Sequence, residues 1–368
     1  MARLGDICTV NMGQSPDSAT YNEVGRGLPF FQGNADFGRL HPAVRVWCSE
    51  PTKIAHTGDI LISVRAPIGA MNVADQDCCI GRGLAAIQVN ENICDPQYLW
   101  YAIQSKVSDL NAKGTGSTFK AISKSTLTDT EVLLVPLDAQ KNIARVLSNV
   151  ENSILFQKEQ LTKLDELIKA RFVEMFGNFV YELDRWSTCE IGDVADTIDP
   201  QPSHRTPPVS LDGIPYIGIA ECNYQTRKIA FKSARKVGKD VLKEHKNRYT
   251  LNDGDFIIGK IGTIGKPFFL PTDCDYTLSA NTVLIKPQKD KISPRFLFAI
   301  FESEYMDRII DAEKKSTSQP AFGIQKVRSI EIPLPPLSLQ NQFAAFVAEV
   351  DKSKVEVQKA LDQTQLLF

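Results

Sequence analysis

The sequence predicts a mixed α/β protein that is built twice: two similar domains separated by two long antiparallel coiled-coil helices, with pseudo-twofold symmetry. Two observations lead to this prediction. Short motifs recur in the same order about two hundred residues further along the chain. Each copy also ends in a long segment whose apolar residues alternate at steps of three and four, the pattern of a coiled coil. A repeat this long is typical of duplicated domains rather than of a solenoid.

Five motifs define the repeat, and only the loops between them change in length. The pairs are Leu4-Gly5-Asp6-Ile7 with Ile191-Gly192-Asp193-Val194, Leu28-Pro29-Phe30-Phe31 with Ile214-Pro215-Tyr216-Ile217, Gly58-Asp59-Ile60-Leu61-Ile62 with Gly254-Asp255-Phe256-Ile257-Ile258, Pro96-Gln97-Tyr98-Leu99 with Pro294-Arg295-Phe296-Leu297, and Pro136-Leu137-Asp138-Ala139-Gln140 with Pro336-Leu337-Ser338-Leu339-Gln340. We therefore place the domains at 1–137 and 178–337, and the long helices at 138–177 and 338–368.

Within each copy, short segments rich in β-branched residues and bounded by turn residues are typical of strands. In the first copy these segments are 59–64, 70–74, 84–89 and 131–135, with a helix over 97–107. In the second copy they are 255–259, 267–270, 282–286 and 329–332, with a helix near 295–303. Both domains are therefore predicted to be α/β units of the same kind.

The ends of the long helices are predicted from their flanking residues. Pro136 and Pro336 end the strands that precede them. Asp138 and Ser338 then follow as N-cap residues, because their side-chain oxygens can accept hydrogen bonds from first-turn N–H groups. Gly177 is a natural stop for the first helix.

Apolar residues in these helices form one seam each. The seam consists of Ile143, Leu147, Val150, Ile154, Leu161, Leu164 and Ile168 in the first helix and Phe343, Val347, Val350, Val357, Leu361 and Phe368 in the second, with Gln157, Lys354 and Thr364 at the remaining positions. The first helix leaves one domain and arrives at the other, so the second must run back antiparallel to pair with it. The alternative is that each helix packs only on its own domain.

Composition places the chain among ordinary globular proteins, with 43% hydrophobic and 23% charged residues. No apolar run approaches the roughly 18 residues needed to span a bilayer, and the first residues lack the apolar core of a signal peptide. The eight cysteines form no C-x-x-C pair. We therefore expect reduced, mostly buried thiols in a cytoplasmic protein without a membrane partner.

Motifs for catalysis and for metal binding are missing from the sequence. It has no Asn/Asp-Pro-Pro-Tyr/Phe tetrapeptide of a methyltransferase, no G-x-x-x-x-G-K-[ST] loop for ATP, and no Ser/His/Asp arrangement. Asp240, Glu244 and Lys246 only faintly suggest a nuclease cluster, because their spacing is wrong. The four histidines have no Cys or His at metal-ligand spacing. We expect a binding protein with no catalytic residue, metal or cofactor of its own.

Cations on loops rich in glycine or hydroxyl residues are the candidate binding residues, because glycine allows close backbone approach and Lys or Arg can reach phosphate. The net charge is only −2, but the stretch from Arg227 to Arg248 is strongly basic, as local phosphate contacts require. The candidates are Arg65, Arg82, Lys113, Ser117, Lys120, Lys228, Lys232, Arg235, Lys236, Lys239, Lys260, Lys266, Lys314 and Lys315. The alternative in each case is a solvated hairpin, linker or helix face.

The duplicated Gly-Asp motif, Gly-Asp-Ile-Leu-Ile-Ser with Pro-Ile-Gly, Gly-x-Gly-Leu, and Pro-Leu-x-x-Gln at the head of a long helix together resemble the specificity subunit of type I restriction-modification enzymes. The resemblance covers essentially the whole chain. It implies a non-catalytic subunit whose two target-recognition domains each read one half of a bipartite, asymmetric site in double-stranded DNA. The helices would set the gap and dock two modification subunits, which methylate adenine with S-adenosylmethionine. Restriction subunits, which use ATP and Mg, would join that core.

The resemblance also implies that base contacts come from the segments that differ between the copies, 11–51 and 200–250. Because the first domain is net acidic, its DNA surface would be built from few cations, and Arg39 is added to the candidates on this ground. Two other functions stay open at this point. One is a self-contained nuclease that acts on DNA, and the other is a structural coiled-coil scaffold.

Overall fold

The computed structural model describes residues 1–116, 120–203, 205–316 and 322–368. The chain divides into two compact units. Unit 1 consists of Met1–Leu155 with Thr364–Phe368, and unit 2 consists of Phe156–Gln363. The division falls inside the first long helix, so that helix contributes residues to both units.

The described residues of unit 1 form a four-stranded sheet, a five-stranded sheet, a separate pair of two short strands, and several short helices. In chain order its elements are β1 (Ala2–Arg3), α1 (Leu4–Ile7), β2 (Cys8–Met12), β3 (Tyr21–Asn22), β4 (Leu28–Phe31), β5 (Trp47–Cys48), β6 (Ile54–Ala55), β7 (Ile60–Ser63), β8 (Met71–Val73), β9 (Cys78–Ile80), β10 (Leu84–Val89), α2 (Pro96–Gln104), α3 (Val107–Lys113), α4 (Lys124–Thr128), β11 (Glu131–Val132) and the first part of α5 (Leu137–Phe176). One sheet is antiparallel with the order β2-β10-β7-β8, and the other has the order β3-β5-β4-β9-β6.

Strand β7 lies between the two cores of unit 1, because its side chains alternate in direction. Ile60 and Ile62 pack with Leu99 of α2 and with apolar residues of α3 and α4. Leu61 points the other way and packs with Phe31 and other residues of the second sheet. Because both faces of β7 are buried, the strand is apolar throughout rather than alternating, and it could therefore be predicted from the sequence.

Unit 2 repeats this architecture. After the end of α5 its elements are β12 (Thr188–Glu190), α6 (Ile191–Val194), β13 (Ala195–Ile198), β14 (Ile214–Ile217), β15 (Cys222–Asn223), β16 (Lys228–Ile229), β17 (Lys236–Val237), α7 (Lys239–Lys246), β18 (Phe256–Gly259), β19 (Pro267–Phe269), β20 (Thr277–Leu278), β21 (Thr282–Pro287), α8 (Pro294–Phe301), α9 (Glu304–Ser316), α10 (Ile324–Arg328), β22 (Glu331–Pro333) and α11 (Leu337–Gln365). Its sheet β13-β21-β18-β19 matches β2-β10-β7-β8, and the parallel pair of β14 and β20 matches that of β4 and β9. The predicted duplication of a mixed α/β fold is confirmed.

The predicted N-caps of the long helices were placed too late. Helices α5 and α11 begin at Leu137 and Leu337, so Asp138 and Ser338 lie inside the first turn. The carbonyl of Pro136 already accepts a hydrogen bond from the Gln140 backbone N–H at 3.0 Å. Proline has no N–H group to donate, but it fits at the start of a helix because the first N–H groups of a helix have no intrahelical acceptor.

In unit 2 the end of α5 runs antiparallel to α11. The ring of Phe343 lies 5.5 Å from that of Phe172 and 5.6 Å from that of Phe176, and Lys354 pairs with Asp165 at 2.5 Å. Phe343 and Val347 also belong to the core of the domain itself. Helix α11 therefore packs on α5 and on its own domain at once, so the alternative that it packs only on its own domain is wrong.

Most of the predicted seam positions are buried or half-buried in the structure. The exceptions are Ile143 and Phe368, which are 39% and 50% exposed. The ring of Phe368 meets Tyr101 of unit 1 edge-on, with the ring centroids 6.1 Å apart. These two residues therefore lie at the solvent-accessible limits of the pattern rather than in a closed seam.

The glutamine of the Pro-Leu-x-x-Gln motif ties each long helix to the helix that precedes it in its domain. Gln340 is fully buried, accepts a hydrogen bond from the Ser293 N–H at 2.8 Å, and donates to the carbonyl of Pro335 at 2.8 Å. Gln140 does the same with the Asp95 N–H and the carbonyl of Val135. The motif thus has a structural role in both repeats.

We predict that Gln340→Leu destabilises the protein by about 2–3 kcal/mol, because the Ser293 N–H and the Pro335 carbonyl would each lose a hydrogen bond while staying buried. Urea unfolding measures the loss. The control is Gln363→Leu, which makes the same exchange at an exposed position of the same helix. Equal stability of the two variants would contradict the assigned role.

Candidate nucleic-acid interface

In unit 1, loops that carry predicted cations lie side by side. The N–H of Val64 donates to the carbonyl of Gly83 at 2.9 Å, and the N–H of Ala66 donates to the carbonyl of Lys120 at 3.0 Å. Lys113 ends α3 beside the same loops. The structure thus brings together four exposed cations, which we name the loop cluster: Arg65, Arg82, Lys113 and Lys120.

Arg82 is held at the apex of a tight turn between two glycines. A Cβ atom on Gly81 would lie 2.4 Å from Oε1 of Gln32, and one on Gly83 would lie 2.5 Å from the Gln32 carbonyl oxygen. The backbone carbonyl of Gln32 therefore requires glycine at position 83, and the Gln32 Cα, 3.0 Å from a Cβ on Gly81, disfavours a side chain at position 81. The Arg82 N–H donates to the hydroxyl of Ser15 at 3.3 Å, which fixes the backbone while the side chain faces solvent.

Two predicted residues of unit 1 do not join the loop cluster. Arg39 is exposed, but its neighbour Leu40 accepts a hydrogen bond from the N–H of Val73, at the end of β8 opposite to the Arg65 loop. Ser117 lies outside the described residues. Both stay predictions.

The matching loop of unit 2 places its two lysines differently. The Lys260 N–H donates to the carbonyl of Asn281 at 2.8 Å, the counterpart of the Val64 bond in unit 1. The Lys260 ammonium turns inward and pairs with Asp199 at 2.9 Å, with side chains only 13% and 14% exposed. Lys266 is exposed, and its ammonium lies 4.2 Å from the ring centroid of Tyr224. Lys266 therefore remains available at the surface, whereas Lys260 is tied to a carboxylate.

The basic stretch of unit 2 is an exposed surface on a buried support. Helix α7 is anchored by Val241 and His245, which are buried. Burial lowers the pKa of His245, so this imidazole is neutral at pH 7, and the helix carries its charge on its lysines. We call five of the exposed cations of this stretch the basic surface: Lys228, Lys232, Arg235, Lys236 and Lys239.

The members of the basic surface differ in what they contact. Within the described residues, no ion pair involves Lys228, Lys232, Lys236 or Lys239. Arg235 donates from Nη2 to the carbonyl of Pro207 at 2.6 Å, so it also supports the fold. The four lysines are therefore the members whose charge is directed to solvent alone.

The last predicted pair lies at the end of α9. Lys314 pairs with Asp311 at 3.0 Å in the preceding turn, while Lys315 is exposed. An exposed ion pair of this kind is weak and is readily exchanged for a phosphate contact.

Sequence reasoning missed a cleft of about 790 Å³ in unit 2. Its lining includes Lys326 and Arg328 of α10 together with Arg248 and Lys260. The α10 residues were overlooked because this short helix was not predicted. A position-by-position comparison of the repeats would have found them, because α4 has Thr126 and Thr128 in their place.

Two other features are absent from the described part of the chain. No group of three or more His, Cys, Asp or Glu residues there could hold a metal ion. Nor does any helix among those residues combine the length and hydropathy needed to cross a membrane.

The fold and these surfaces define a duplicated α/β protein with exposed cations on matching loops of its two repeats. Comparison with protein families assigns it more closely. The chain belongs to the family of type I restriction modification DNA specificity domains, whose model matches residues 1–166 and 184–364.

Individual relatives agree with this assignment. The putative type I restriction enzyme MjaX specificity subunit of Methanocaldococcus jannaschii is 39% identical over 158 residues, covering 43% of this chain and 37% of the relative, little more than a third of its length. The EcoBI specificity subunit of Escherichia coli is 21% identical over 336 residues, covering 82% and 69%. The type I restriction-modification S subunit of M. genitalium has the same fold, with a TM-score of 0.61 at 14% identity over 99% of this chain and 92% of that one.

Proposed function

We propose that this chain reads DNA sequence for a type I restriction-modification complex, each repeat reading one half of a bipartite, asymmetric site in double-stranded DNA. The duplication carries the proposal: two copies of one scaffold, in a member of the specificity family, present exposed cations on matching loops. Cations of this kind position a protein on the DNA backbone, while base contacts supply specificity.

The long helices have two roles in this proposal. Together they set the length of the unspecified gap, and they dock two modification subunits. The chain itself has no catalytic activity. S-adenosylmethionine, ATP and Mg are used by the modification and restriction subunits that join it, and the complex works in the cytoplasm.

The basic surface supplies the test. Replacing its four lysines (Lys228, Lys232, Lys236 and Lys239) with Gln is expected to weaken duplex binding more than tenfold at moderate salt, because each lost phosphate contact reduces the slope of log K against log salt by about 0.9. Binding is measured from low to high salt with the full chain and its modification subunits. Arg235 is kept because it supports the fold through Pro207.

Lys→Arg at the same four positions is the matched control, because it retains the charge and is expected to retain the slope. If the Gln variant keeps the slope of the unaltered chain, the basic surface is not part of the interface. If the unaltered chain shows no salt-dependent DNA binding, DNA recognition itself is excluded, and the scaffold function is favoured. Cleavage by the purified chain alone would favour the nuclease.

A further inference from the structure

The cleft of unit 2 is a shallow, open, positively charged depression formed by separate parts of the domain. Its walls come from the end of β13, the loop after β18, the residues after α7, and α10. Asp199 is the carboxylate among its described lining residues, and the cations are Arg248, Lys260, Lys326 and Arg328. At about 790 Å³ it is large enough for a phosphate group together with part of a nucleotide.

Two of the four cations are neutralised by carboxylates. Lys260 pairs with Asp199, and Lys326 pairs with Glu313. Arg328 instead donates from Nε to the hydroxyl of Thr197 at 2.7 Å and from Nη2 to the Thr197 carbonyl at 2.9 Å. These are neutral acceptors, so they hold the guanidinium in place and leave its charge uncompensated. Arg248 is exposed and forms no ion pair within the described chain. The cleft is therefore net positive.

The first repeat shows that the fold does not require these cations. Val64 stands where unit 2 has Lys260, because both donate the same backbone hydrogen bond after the equivalent strand. Helices α4 and α10 correspond, so Thr128 occupies in the first repeat the position of Arg328 in the second. Gly5 packs against Thr128 just as Gly192 packs against Arg328. Val10 likewise occupies the position of Thr197. The same scaffold is thus stable with neutral residues at these positions.

We infer that this cleft binds a backbone phosphate of the DNA, and that, among the residues the structure describes, the second repeat alone forms such a site. A guanidinium whose orientation is already fixed suits a phosphate, because two of its N–H groups can donate to two phosphate oxygens without further loss of side-chain freedom. Phosphate contacts set the register of a protein on the duplex. The second domain therefore positions the complex on its half-site more firmly than the first. This inference rests on the proposed function.

The test exchanges residues of the second repeat for those of the first. The double variant Thr197→Val with Arg328→Thr removes the guanidinium together with the hydroxyl that accepts from its Nε, which leaves no buried hydroxyl unpaired. Arg248→Ala is a second variant at an exposed position. Each is expected to weaken duplex binding about tenfold and to reduce the salt slope by about one, with unchanged base preference. Lys289→Thr, at an exposed lysine outside the cleft lining, is the control and is expected to leave both quantities unchanged.

Duplexes that carry one neutral methylphosphonate at a time identify the phosphate. The unaltered chain is expected to lose affinity at one or two positions in one half-site, and the double variant is expected to lose none there. If the unaltered chain and the double variant gave identical affinity profiles on these duplexes, the inference would be overturned. A cleft that binds only free phosphate would give this result. If the unaltered chain binds the duplex and both variants keep its affinity and salt slope, only the assignment of the cleft is refuted. Absence of duplex binding by the unaltered chain refutes the proposed function, and the cleft assignment with it.

Discussion

Lengthening both long helices by one heptad is expected to widen the gap between the two DNA half-sites by about three base pairs. Seven residues add about 10 Å to a helix, and the DNA rises about 3.4 Å per base pair. The insertion is a second copy of residues 153–159 in α5 and of residues 352–358 in α11. A whole heptad keeps the seam on the same helix face, because the apolar pattern repeats every seven residues.

The insertion points follow from the antiparallel register seen in unit 2. Phe172 contacts Phe343, and Asp165 pairs with Lys354. Extending this register places the residues after Glu159 opposite those after Gln358. Gln157 and Lys354, two of the three polar seam positions, do not face each other in this register, because the partner of Lys354 is Asp165.

Mapping of methylated adenines in cells that express the lengthened chain with its modification subunits measures the gap. The control carries the insertion in α5 alone, which leaves unequal helices and is expected to lower methylation rather than to shift the gap. If the doubly lengthened chain methylated sites with the original gap, the helices would not determine the spacing.

The duplicated fold could be predicted because its signals are local. The heptad pattern and the Gly177 stop with its positive φ of 87° depend on neighbouring residues, and the structure has the helix end there at Phe176. The helix starts were misplaced because the choice of Pro136 or Asp138 as the N-cap residue depends on how the preceding strand joins the helix. The buried Gln140 and Gln340 control that junction through residues more than forty positions away.

The candidate site was predicted less completely, because its arrangement depends on long-range contacts. The loop cluster forms only because the Arg65 loop pairs with the loop of Lys120 and with that of Arg82. Lys260 was assigned to the surface, yet its partner Asp199 lies 61 residues away in sequence, and no local pattern indicates that pair. In contrast, Arg328 could have been found from sequence, by asking where the repeats differ in charge at equivalent positions.

The buried pair of Lys260 and Asp199 leads to a second large expected effect. Lys260→Val, which installs the residue of the first repeat, is expected to destabilise the protein by about 3 kcal/mol, because Asp199 would stay only 14% exposed without its lysine. Urea unfolding at pH 7 measures the change.

The double variant Asp199→Met with Lys260→Val is the decisive comparison, because Met12 and Val64 occupy these positions in the first repeat. Replacing both charges with apolar residues removes the desolvation cost together with the attraction, so stability is expected to return to within about 1 kcal/mol of the unaltered chain. Equal destabilisation of the single and double variants would instead mean that Lys260 stabilises the loop through packing of its aliphatic chain. Recovery in the double variant would assign the loss to the charge of Asp199 left without its lysine.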